Sequence, residues 1–178
     1  MKIPVNRKEL SRLLKRGEGP ALEFKRSTAE LREGMQTVCA FLNGCGGMVL
    51  FGARSDGMPE GQQVSDKTLR EIAQAFERFE PPVNIDIRRV KVKDDREVLV
   101  LSVDSSIASR PCLFEGRPYE RLESATCRMP QENMKSSFWS AFIAGAVGRM
   151  LPPKKSNHEI WTATRFFVFW MPPVLPVD

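Results

Sequence analysis

The chain has 178 residues, 42% of them hydrophobic, which is enough to bury a core and argues against a disordered polymer. It carries 27 Lys or Arg against 22 Asp or Glu, a formal charge of +5. One histidine, His158, and four cysteines without a Cys-x-x-Cys pair argue against a Cys/His zinc site and a disulfide framework, so the thiols read as reduced, in a cytoplasmic protein.

The excess charge lies at one end. Residues 1 to 26 hold eight Lys or Arg and three Glu, while the remainder carries nineteen of each sign. A local face for a polyanion has this signature, and so does a merely solubilising face. No apolar run follows the basic start, so no secretory signal is expected.

Asn6 predicts the N-cap of a helix running to about Arg16, with Glu9 at the capping-box position and Gly17 ending it. Leu10, Leu13 and Leu14 form its apolar stripe, and Lys8, Arg12, Lys15 and Arg16 a basic stripe elsewhere on its surface. Residues 21 to 26 alternate as a half-buried strand, with Leu22 and Phe24 inward and Glu23 and Lys25 outward. Leu31, Met35, Val38, Cys39 and Leu42 keep a helical period that Asn43-Gly44 stops. Met48 to Phe51 is a short apolar run, expected as a central strand parallel to the preceding one.

Ser65 or Asp66 caps a further helix, with a stripe through Leu69, Ile72, Ala73, Phe76 and Phe79 that Pro81-Pro82 ends. Val83, Ile85 and Ile87 then alternate, and the phase slips at Arg88-Arg89 before Val90 and Val92, predicting a bulge there. Lys93 to Arg96 makes a turn, and Val98 to Val103 returns with apolar residues on both faces. Arg117 to Leu122 reads as another strand, and Pro130 opens a short helical piece. Phe138 to Val147 is apolar but short of the roughly 20 residues a bilayer span needs, so it is expected as an extra core helix. Phe166 to Val177 is rich in aromatics and proline, without a period.

Leu22-Glu23-Phe24-Lys25, an amphipathic helix, Asn43-Gly44-Cys45-Gly46-Gly47, the apolar strand to Gly52 and the Asp56-Gly57 turn follow one another in an order that resembles the Schlafen-type AlbA domain. That domain is also catalogued as a divergent AAA-type or transcriptional-regulator domain. The resemblance covers about residues 10 to 135. It implies a single α+β domain over residues 1 to 135, with helices packed on a mainly four- to five-stranded mixed sheet. Residues 136 to 178 form a tail that does not resemble the family. It also implies DNA or RNA as partner; the shortness of the apolar runs predicts no membrane.

Three constellations carry the candidate chemistry. Glu18 and Glu23 match the family's Glu-x4-Glu-Phe-Lys pattern, where nuclease members place two carboxylates of an RNA-cutting trio. The third position falls at Asp56. Two carboxylates beside Lys25 can hold Mg²⁺ or Mn²⁺ when a third oxygen ligand joins them. The turn Arg54-Ser55-Asp56-Gly57 departs from the pattern, with one acid left and a cation beside it. A plain Glu/Lys surface pair, worth under about 1 kcal/mol, is the competing reading, and binding is favoured over catalysis.

The glycines from Gly44 to Gly47 fit the family's ATP-binding label, but no Gly-Lys-Ser/Thr follows and a helix C-terminus repels phosphate, so a tight turn is favoured. Arg121, Ser124 and Thr126 resemble the family's closing segment and can hold a phosphate, with Tyr119 able to stack on a base. Glu123 replaces the usual glycine before Ser124. Arg88, Arg89, Lys91 and Lys93 add a basic strip.

The sequence thus reads as a nucleic-acid-binding module that needs no cofactor, with Lys8, Arg12, Lys15, Lys25, Arg121, Ser124 and Thr126 on its surface. The alternatives are a divalent-metal-dependent endoribonuclease using Glu18, Glu23 and Asp56, and a nucleotide-binding module.

Overall fold

The structure, a computed structural model, describes residues 3–105 and 110–150. The chain divides into a compact unit, Met1–Ala144, and a second unit, Gly145–Asp178, of which only residues 145–150 are described.

Helix α1 (Arg7–Leu14) precedes strand β1 (Leu22–Lys25), a 3-10 turn (Thr28–Glu30), helix α2 (Leu31–Asn43) and strand β2 (Gly47–Phe51). Helix α3 (Asp66–Phe76) leads to strands β3 (Phe79–Glu80), β4 (Asp86–Lys93), β5 (Arg96–Val103), β6 (Leu113–Phe114), β7 (Arg117–Leu122) and β8 (Ala125–Arg128), and then to helix α4 (Gln131–Met150). The fold is α+β. Instead of one sheet it has two of four strands, ordered β1-β2-β5-β4 and β3-β6-β7-β8.

β1 and β2 are parallel, as the strand–helix–strand order predicts, and β5 and β4 complete the first sheet antiparallel. Its registers fix two faces. One cross-sheet row runs Phe24, Leu50, Val100, Arg88, and the neighbouring row on the opposite face runs Lys25, Phe51, Leu99, Arg89. β2 and β5 are apolar at nearly every position because each face meets a different core.

On the first face Leu10, Leu13 and Leu14 of α1 close over Phe24, Leu50, Val90, Val92, Val98 and Val100. Each fully buried leucine contributes about 1.5–3 kcal/mol, so this contact holds α1 in place. On the second face α2 lies between the two sheets, packing Met35, Val38 and Cys39 on Val49, Phe51, Leu99 and Leu101 of the first and Phe114 and Tyr119 of the second. Cys39 is the small core residue its helical position predicts.

Local signals decide several boundaries. The Asn6 side chain accepts from the Glu9 N–H, but the Glu9 carboxylate reaches the Val5 N–H rather than that of the cap. Ser65 and Thr68 form a reciprocal capping box at α3. α3 ends at Phe76, so Phe79 belongs to β3 and pairs with Phe114 instead of extending the helical stripe. The β4 irregularity falls between Lys91 and Lys93; pairing at Arg88 and Arg89 is regular. Val83 and Ile85 pack on the core between the sheets, and Ile87, opposite Leu101, lies on that side, whereas Val90 and Val92 face α1; this change of side, without a bulge, is the phase slip at Arg88-Arg89.

Two expectations are corrected. β1 is buried on both faces, because the side of Glu23 and Lys25 looks towards α2 and β7 instead of solvent. The first part of α4 is no core helix: Phe138, Trp139 and Phe142 are each more than half exposed, Trp139 at 66%. The expectation for Phe166 to Val177 lies outside the described residues.

Candidate functional site

The residues singled out in the sequence fall into a buried ionic centre, two separately engaged carboxylates and an exposed basic helix. Glu23 is the hub of the first. Its Oε1 accepts from Lys25 Nζ at 2.8 Å and its Oε2 from the Arg121 guanidinium at 2.5 Å. The Arg121 side chain is only 5% exposed. It donates to the Gly19 carbonyl at 3.1 and 3.3 Å and to Thr126 Oγ1 at 2.8 Å, and it lies over the Phe41 ring at 5.4 Å. Thr126 in turn shares a 2.9 Å hydrogen bond with Thr37 of α2.

This centre fastens β1, α2 and the β7–β8 hairpin together. It brings Glu23, Lys25, Arg121 and Thr126 into one cluster, as a family-like constellation should be, but commits each nitrogen of Arg121 to a protein acceptor and leaves its side chain buried. Ser124 lies apart and exposed in the β7–β8 turn. Glu123 there adopts φ +54°, a left-handed conformation that explains why glycine is the usual occupant.

The other two carboxylates are spoken for elsewhere. Glu18 Oε1 accepts from the Phe24 N–H at 2.9 Å on the edge of β1 that no strand covers, which blunts that edge. Asp56 is paired to Arg54 at 3.1 Å and caps its own turn by accepting from the Met58 N–H at 3.0 Å. Among the described residues no group of three His, Cys, Asp or Glu side chains is placed to hold a metal ion. Glu18, Glu23 and Asp56 therefore do not assemble as a trio. Glu23 already faces two cations, so a divalent ion there would meet a net positive charge. The residues do not fit Mg²⁺ or Mn²⁺, and no catalytic step follows from them.

The glycine turn is closed as well. Gly46 has φ +79°, and a Cβ there would stand 2.7 Å from the Val103 carbonyl. A Cβ on Gly47 would stand 2.8 Å from the Ala21 carbonyl. The backbone of this turn is pressed against other backbone and leaves no cradle for a phosphate.

Sequence reasoning missed the role of Asn43, which it read as a helix stop and as the first residue of the glycine turn weighed for phosphate binding. Its buried amide donates to the Cys112 and Tyr119 carbonyls, each at 2.9 Å, and accepts from the Cys112 N–H at 2.7 Å. The one sequence signal was a polar residue on the otherwise apolar end of α2.

The basic helix is different in kind. Lys8, Arg12 and Lys15 are exposed, and among the described residues none of them has an ion-pair partner. By contrast Lys25, Arg32, Arg54, Arg78, Arg89 and Arg121 are all in ion pairs. The stripe from Lys8 to Lys15 spans about 10 Å along the helix axis.

Residues 18–130 match the family model described as Schlafen, AlbA_2, so α1 lies just ahead of the matched stretch. No curated protein matches the chain significantly. Among solved structures the chain is similar to the N-terminal domain of a protein from Nitrosomonas europaea described as a putative ATP-dependent DNA helicase RecG-related protein. The identity is 22% and the TM-score 0.51, over 69% of this chain and 90% of that one. It is also similar to the DIP2311 protein from Corynebacterium diphtheriae, at 17% identity and a TM-score of 0.47 over 70% of this chain. It spans 24% of that protein's length. At these identities the likeness is one of fold. Among the described residues no helix is long and apolar enough to cross a membrane.

Proposed function

The chain belongs to the Schlafen AlbA_2 family, and on that premise we propose that residues 1–135 form a nucleic-acid-binding module that holds the phosphate backbone through α1. The single observation that carries this reading is the exposed stripe Lys8, Arg12, Lys15, without an ion-pair partner among the described residues, along a helix and its C-cap that three leucines fix to the first sheet. Cations free of carboxylates and rigidly spaced are what backbone recognition uses. The DNA-helicase description of a fold neighbour is in keeping with it. Regulation of transcription is one use of such binding. Lys25, Arg121 and Thr126 act on this surface only indirectly, by holding β1 and the β7–β8 hairpin in place. Binding requires no cofactor.

Incubation of the whole chain with labelled single-stranded RNA, transfer RNA and duplex DNA, with Mg²⁺ or with chelator, tests the reading. Binding that weakens steeply with salt and ignores chelator, with the nucleic acid left intact, is the expected result. Absence of binding at low salt overturns it, and cleavage that stops in chelator moves the function to a metal-dependent nuclease.

A further inference from the structure

The basic strip on β4 follows α1 in neither sequence nor element, and the sheet register divides it. Val90 and Val92 point to the first face, where they pack with Leu10, Leu13 and Leu14, and α1 rests on β4 there. Side chains alternate along a strand, so Arg88, two residues before Val90 in a regular stretch of pairing, points the same way. Its cross-strand partner is Val100, which is buried beneath α1. Arg88 itself is exposed, and among the described residues it has no ion-pair partner. Arg89 and Lys91 leave from the opposite face. Arg89 is tied to Glu97 at 2.6 Å, and Lys91 stands directly across from Glu97.

We infer that Arg88 is a further phosphate contact, joining Lys8, Arg12 and Lys15 in one basic face built from two elements, and that the other side of β4 takes no part. The inference rests on the reading of α1 given above and extends it. The ligand is the phosphate backbone of a nucleic acid. The exposed large apolar side chains among the described residues are Val5, Met58, Ile87 and Leu122 together with four on α4, so neither α1 nor β4 offers an aromatic for base stacking. Charge is then what this face contributes, and the salt dependence of binding reports it.

The test compares Arg88→Gln with Lys91→Gln, which remove the same net charge from opposite faces of one strand. Affinity for a labelled DNA duplex is measured from low to moderate salt with the whole chain, alongside Lys8→Glu/Arg12→Glu. Arg88→Gln is expected to weaken binding and to lower the log–log salt slope by about 1, the share of one phosphate contact. Lys91→Gln is expected to keep the parent slope. If Lys8→Glu/Arg12→Glu lowers the slope but Arg88→Gln does not, or if Lys91→Gln lowers it as much as Arg88→Gln, this inference falls while the α1 reading stands. If Lys8→Glu/Arg12→Glu leaves affinity and slope unchanged, the α1 reading falls and takes this inference with it.

Discussion

Arg121 is the residue whose meaning changes most between sequence and structure. Its motif resembles a phosphate clamp, yet its side chain is buried and bonded to Glu23, Gly19 and Thr126. Removing one member of a buried ion pair leaves the other uncompensated, which costs about 3–5 kcal/mol. Arg121→Ala and Glu23→Gln are therefore each expected to lower the thermal midpoint strongly, by circular dichroism or calorimetry. Midpoints close to the parent's would contradict the structural role. The sequence made both residues conspicuous but assigned them outward. Its alternation rule assumes a strand with one wet face, and β1 has none. The guanidinium that covers Glu23 comes from 98 residues further on, a pairing no local pattern contains.

A second residue, Glu115, ties three elements at their ends. It receives Arg32 of α2 at 2.7 Å and, from the segment after α3, Arg78 at 3.0 Å. The Arg32 hydrogen bond, with Arg78 adding to it, holds the Glu115 carboxyl below its ordinary value. A depressed carboxyl stabilises the fold above the unfolded value of about 4.3, and that contribution disappears as pH falls through its lower folded value. Glu115→Gln is expected to destabilise slightly at neutral pH and to lose its difference from the parent under acid. A difference that grows on acidification would reverse the sign. The site is exposed, so the effect is small.

At the scale of elements, the turn between α2 and β2 carries the sharpest test. Gly46 needs its positive φ and has a carbonyl where a Cβ would go. Gly46→Ala is expected to cost at least about 1 kcal/mol. Millimolar ATP with Mg²⁺ is expected to leave the parent's thermal midpoint where it is, since ligand binding to the native state would raise it. A clear upward shift would restore the nucleotide-binding reading. Glycines and a stop after α2 were legible as a turn. The role of Asn43 was not, because its partners on the β6 and β7 side arrive from far along the chain. Helices α1 and α3 were legible through their caps and stripes, and β2 and β5 through unbroken apolar runs. β3 and β6, two residues each, are too short to show any period, which is why the second sheet was hidden.

For the whole molecule, two cores share one sheet, and they divide the charged residues by function. The core between the sheets holds Glu23 between Lys25 and Arg121, with both cations engaged by one carboxylate. Outside the core under α1, Lys8, Arg12 and Lys15 stand exposed, without an ion-pair partner among the described residues. The concentration of positive charge in the first 26 residues was plain in the sequence, but which of those cations are free was not. Lys25, counted there among the binding residues, is committed to Glu23. Only burial and ion pairing separate a structural cation from an available one. The measurement that bears most directly on this division is the salt dependence of nucleic-acid binding by Lys8→Glu/Arg12→Glu, with folding checked by circular dichroism. A folded variant that binds every nucleic acid more weakly, with a salt slope flattened by about 2, is expected. A folded variant with the parent's affinity and slope would contradict the placement of the binding face on α1.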